Sequence, residues 1–116
     1  MSRSHASAAV RIPEAAPLFA ALGDETRLRI VARLCDDGPL SIARLTDGSG
    51  VTRQAVTKHL RALSEAGLVR GERDGRERIW KLQPRRLAEV HRYLEQISEQ
   101  WDRALGRLRA LVETEP

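Results

Sequence analysis

At Gly67 the spacing of the apolar residues switches from helical to alternating, and no other feature of the chain limits its fold as much. Before it, TRQAVTKHLRALSEAG runs from Thr52, a residue suited to capping a helix, with no interior Gly or Pro. Advancing about 100° per residue puts Val56, Leu60 and Leu63 on one side of that helix. Gln54, Thr57, Lys58 and Arg61 fall on the opposite side, with Arg53 at its edge. After Gly67, LVRGER and RERIWKL alternate about Asp74-Gly75, a dipeptide that signals a tight hairpin with positive φ at both turn positions. A helix followed at once by a hairpin, in a chain of 116 residues, leaves room for one small domain.

The flanking segments complete the fold class. A first helix is predicted over about 13–22, carrying Leu18, Phe19 and Leu22 and stopped by Gly23. Asp24 caps a second over 24–36, whose Leu28, Val31, Ala32 and Cys35 recur at i, i+3, i+4, i+7 and are expected to face the core. Ser41 caps a short third helix over 41–47, with Ile42 and Leu45 inward and Gly48-Ser49-Gly50 as its end. With 52–66 it makes a helix-turn-helix, and the hairpin over 68–82 becomes a wing. Aromatic residues are 3% of the chain, so the core is Leu, Val, Ile and Ala, which suits packed helices better than aromatic-rich strands. The expectation is a mainly α winged helix-turn-helix with a small β-hairpin.

Pro84 opens a long last helix over 84–112. Its Leu87, Val90, Leu94, Ile97, Trp101, Ala104, Leu108 and Leu111 are spaced 3, 4, 3, 4, 3, 4, 3. A seam of this kind is longer than the small winged domain can cover. Leu87, Val90, Leu94, Ile97, Trp101 and Leu108 are therefore expected to form a homodimer interface, with part of the seam capping the chain's own core. Residues 1–12 are small and polar and are expected to be a disordered tail, leaving 13–116 as a single domain. One cysteine, Cys35, and no apolar run of membrane-spanning length point to the cytoplasm.

Charge locates the function. The net charge of +4 arises wholly within residues 40–82, where nine basic residues face five acidic ones, while both flanks balance. A localised basic footprint suits a polyanion partner, although a solvated basic face would give the same count. The side chains on the outward face of 52–66 decide the matter. Arg and Lys donate to guanine, Gln bonds adenine, and Thr bonds base or phosphate. Thr52, Arg53, Gln54, Thr57, Lys58 and Arg61 are thus candidate DNA-binding residues on a recognition helix. Arg73, Arg76 and Arg78 cluster at the hairpin tip, placed for sugar-phosphate or an adjacent minor groove, or simply blunting an exposed strand edge.

LFAALGDETRLRIVARL, VTKHLRALSEAGLV and GRERIWKL, in that order over Leu18 to Leu82, resemble the ArsR-type winged helix-turn-helix repressors. The resemblance implies a dimeric transcription factor on a pseudo-palindromic operator, with 52–66 in the major groove and the wing on flanking backbone. It also implies His59 as a locally packed side chain. The family's metal sensors carry a Cys-x-Cys pair where this chain has Ser41 and Ala43. A second family site across the terminal helices would have only His91 and Glu95, with Glu99 a turn further on, which reads as a surface pair. The expectation is a repressor, or autorepressor, without metal or other cofactor. The alternatives are a metal- or redox-sensing repressor using His91 and Glu95 or Cys35, and a winged-helix protein-interaction module. Cys35 is expected to be a small core residue, and Trp80 and Trp101 to pack. Histidines at 5, 59 and 91, scattered over a tail and two helices, give no catalytic constellation, so no enzyme is expected.

Overall fold

The computed structural model describes residues 11–114. Helix α1 spans Ile12–Leu22, α2 Glu25–Asp37, α3 Ile42–Thr46, α4 Arg53–Glu65 and α5 Pro84–Glu113; strands are β1 Leu40–Ser41, β2 Val69–Asp74 and β3 Glu77–Leu82. Each expected helix is present within a residue or two of its expected ends. The tail expected over residues 1–12 lies outside the described residues as far as residue 10, and Ile12 already belongs to α1.

The hairpin is part of a three-stranded antiparallel sheet of order β1-β3-β2, with Leu40 opposite Trp80 and Ser41 opposite Ile79. Strand β1 was not expected, since two residues are too few to display alternation. The hairpin turn is also one residue later than the Asp-Gly pair suggested. Asp74 pairs with Glu77, so the loop is Gly75-Arg76, and only Gly75 has positive φ, at 66°. Glycine at the first central position alone is the II′ pattern, which frees the second position for arginine.

Leu18, Ile30, Leu34, Leu45, Val56, Leu60, Leu63, Leu68, Val69 and Trp80 form the centre of the core, and Leu60, Leu63 and Leu68 have no exposed surface. Helix α2 turns a different face inward from the one its spacing suggested. It buries Ile30 and Leu34, whereas Leu28, Ala32 and Cys35 are exposed and Val31 is half-buried. Two apolar sets overlap on this helix, and packing selected the one that the period did not. Cys35 is thus a surface thiol and not a core residue.

The α5 seam divides along its length. Val90 is buried with Tyr93 in the chain's own core, and Leu87 packs against it, so these two seam positions serve the fold of the single chain. Beyond them Leu94, Trp101, Leu105, Leu108 and Val112 are exposed and, at about 100° per residue, fall in a sector of about 60°. No helix among the described residues is long and apolar enough to cross a membrane.

Candidate nucleic-acid interface

Local chemistry fixes α4 at both ends. The Thr52 hydroxyl accepts from the Ala55 N–H at 3.1 Å, closing its first turn. At the other end the Leu68 N–H donates to the Leu63 carbonyl and the Gly67 N–H to that of Ser64, at 3.0 and 2.9 Å, with Gly67 at φ 80°. This is the paired closure in which a left-handed residue stops a helix cleanly, and glycine adopts it without strain. Between α3 and α4 the Ser49 hydroxyl donates to the Thr46 carbonyl at 2.7 Å and accepts from the Val51 N–H at 3.2 Å. From α2, Arg33 donates to the Arg44 carbonyl at 3.0 Å, tying the end of α3 to the scaffold. Spacing gave no hint of that contact, because Arg33 reads as an ordinary surface charge.

So held, α4 buries Val56, Leu60 and Leu63 and exposes Thr52, Arg53, Gln54, Lys58 and Arg61. Thr57 is half-buried, and its hydroxyl donates to the Arg53 carbonyl at 2.9 Å, which leaves that oxygen as an acceptor only. His59 is half-buried, with Nδ1 3.8 Å from the Asp24 carboxylate. Asp24 caps α2 by accepting from the Arg27 N–H at 3.1 Å. That backbone hydrogen bond, aided by His59 and Arg27, holds its carboxyl below the usual aspartate range against a smaller desolvation effect.

On the wing, Arg73, Arg76 and Arg78 are all exposed, with Arg73 directly opposite Arg78 and Arg76 in the turn. The Arg78 guanidinium lies over Trp80, 5.5 Å from the ring centroid. Among the described residues Arg53, Lys58, Arg61, Arg73, Arg76 and Arg78 form no ion pair, whereas Lys81 and Arg70 meet Glu72 at 2.8 and 3.6 Å. The Lys81 hydrogen bond, then its charge and that of Arg70, lowers the Glu72 pKa. Cations so placed on α4 and at the wing tip suit a polyanion, since none of the described carboxylates competes for them.

Residues 22–72 match a family described as a helix-turn-helix domain. The chain is 38% identical over 95 residues to the HTH-type transcriptional regulator Rv2034 of Mycobacterium tuberculosis, covering 82% of this chain and 85% of that one. It is also 38% identical to the solved ArsR-like transcriptional regulator of Rhodococcus sp. RHA1, with a TM-score of 0.69 over 89% of this chain and 96% of the other. This chain belongs to the ArsR-like family of transcriptional regulators. This ArsR-like regulator is accordingly a DNA-binding protein and not an enzyme. It shares its fold with the homodimeric winged helix-turn-helix domain Mb0332 of Mycobacterium bovis, 20% identical, with a TM-score of 0.62 over 77% and 82% of the two chains.

His91 Nδ1 is 3.6 Å from Glu95 on the exposed side of α5. Among the described residues no three His, Cys, Asp or Glu side chains are grouped to hold a metal ion. Ser41 is 7% exposed and its hydroxyl accepts from the Arg44 N–H at 3.2 Å to cap α3, while Ala43 offers no ligand atom.

Proposed function

We propose that this regulator is a cytoplasmic, dimeric repressor that reads a pseudo-palindromic operator without a metal cofactor. The observation that carries this reading is the set of six cations without ion-pair partners among the described residues, placed on the outward side of α4 and at the wing tip. In it, Thr52, Arg53, Gln54, Thr57, Lys58 and Arg61 enter a major groove, and Arg73, Arg76 and Arg78 hold the flanking backbone. Gln54 and Arg61 are the base readers, since their side chains match adenine and guanine edges.

Dimerisation through α5 is supported by the exposed stripe of Leu94, Trp101, Leu105, Leu108 and Val112, with half-buried Ile97 beside it, and by the homodimer that Mb0332 forms. Two copies related by a two-fold axis present two recognition helices to successive major grooves, which is why a pseudo-palindrome is expected. Action without metal is supported by the hydroxyl of Ser41, which is engaged in capping, and by the missing ligand atom at Ala43. The test is an anisotropy titration against the protein's own promoter region with random duplex as competitor, with and without Zn²⁺, chelator and peroxide. Competitor-resistant binding indifferent to those additions is expected. Gln54→Ala and Arg61→Ala should each cost about 1–3 kcal/mol on the operator and less on random DNA. Equal losses on both would make them phosphate contacts, and release by Zn²⁺ or peroxide would overturn the cofactor-free reading.

A further inference from the structure

We infer that the wing meets DNA with the face that continues from the core, and that Gly71 and Trp80 are positioning residues for Arg78. The inference rests on the DNA reading above. Strand alternation and register sort the hairpin into two chemically different faces. One carries Val69, Gly71 and Arg73 from β2 and Arg78, Trp80 and Leu82 from β3, with Gly71 opposite Trp80 and Arg73 opposite Arg78. Val69 and Trp80 are buried, so this face runs from the core out to the tip, and its only charges are two arginines. The other face carries Arg70, Glu72, Asp74, Glu77 and Lys81, where acids outnumber bases and Glu72 already engages both cations. A phosphate is attracted to the first face and repelled by the second.

The first face is also arranged for an anion. Like charges directly opposite on neighbouring strands destabilise a hairpin unless an anion lies between them. Arg73 and Arg78 hold that relation with no carboxylate paired to either among the described residues. The cation–π contact of Arg78 with Trp80 restrains the guanidinium without using a carboxylate, so less side-chain freedom is lost when it binds a phosphate. Gly71 makes the contact possible. A Cβ there would stand 2.6 Å from Arg78 Nε and 3.1 and 3.2 Å from two Trp80 ring atoms. Its φ is not in the left-handed region, so the requirement is for space and not for backbone freedom. Alanine fits the strand backbone but displaces the guanidinium.

The test titrates a random-sequence duplex, which needs no knowledge of the operator, with wild type, Gly71→Ala, Arg78→Ala and the double variant at several salt concentrations. Arg78→Ala and Gly71→Ala should each weaken binding about five- to tenfold, and Arg78→Ala should lower the salt slope by about 0.9. The double variant should bind no more weakly than Arg78→Ala alone. In the free protein, the Arg78 side-chain NMR resonances should be shifted upfield by the indole ring in wild type and lose that shift in Gly71→Ala. A further loss from Gly71→Ala in the Arg78→Ala background, or an unchanged ring shift, would overturn the positioning role. Wild-type affinity and slope in Arg78→Ala, with loss in Lys58→Ala, would overturn the wing-face inference while leaving DNA binding by α4 intact. Failure of the wild type to bind any duplex would overturn both.

Discussion

Trp101 offers the sharpest test of the proposed α5 interface, because the described structure gives it so little to do otherwise. The residue is 66% exposed. An aromatic side chain presents about 150–250 Å², so two-thirds of a tryptophan leaves roughly 160 Å² for a partner to cover, about 4 kcal/mol at 25 cal/mol per Å². A two-fold dimer contains two such residues. Even if the partner covers only half of each, Trp101→Ala removes about 4 kcal/mol per dimer and raises the dimer dissociation constant roughly a thousandfold. The translational and rotational cost of association is common to both proteins and drops out of that difference. Sedimentation velocity over a concentration series measures it directly, and Trp80, the one remaining tryptophan, reports that the core is intact. A dissociation constant unchanged within tenfold, with native Trp80 emission, would refute α5 as the dimer contact.

Arg73→Thr should move stability and binding in opposite directions. Relieving the like-charge pair with Arg78 should stabilise the free protein by about 0.2–1 kcal/mol at low salt while weakening DNA binding, and a thermal melt with a titration checks both. Asp24 should contribute to acid stability. Its pKa lies below the ordinary aspartate value of 3.8 in the folded chain, so the stability it adds is present above that value and is lost as pH falls through the folded pKa. Asp24→Asn should therefore flatten the acid limb of a pH–stability profile below about pH 4, and a limb of wild-type steepness would refute the linkage. Leu60→Ala, at a residue with no exposed surface beneath the outward face of α4, should cost about 2–5 kcal/mol in denaturant unfolding; a loss under 1 kcal/mol would show that the site relaxes freely.

Most of the candidate site was legible because α4 has one apolar face and no competing pattern. Val56, Leu60 and Leu63 can only go inward, and this fixes where Gln54, Lys58 and Arg61 point. Helix α2 shows where that logic stops. Leu28, Ala32 and Cys35 make as good a stripe as Ile30 and Leu34, and only contact with the rest of the core decides between them. Position 75 reads as a turn glycine, but register depends on which strand residues pair, and periodicity slips by one without penalty at a solvent-exposed tip. Two features of the site were out of reach: the α2-to-α3 tie through Arg33, which is a long-range contact, and the two-faced charge of the wing, which needs the register. Gly71 did leave a trace, since glycine inside a strand marks a close approach.

The junction at Leu68 bears on how such a regulator can change over evolutionary time. Its N–H is bonded to the Leu63 carbonyl at the end of α4, and its carbonyl accepts from Gln83 at the start of α5, at 3.0 and 2.9 Å. Two backbone bonds thus join the end of α4 to the start of α5 and bypass the whole hairpin. A wing lengthened, shortened or recharged at its tip leaves both of these bonds in place. A single residue inserted between Leu63 and Leu68 does not, because it breaks the turn between them. If the wing holds the flanking backbone as proposed, variation in operator flanks is expected to be matched by changes in the wing, while the stretch from 63 to 68 keeps its length.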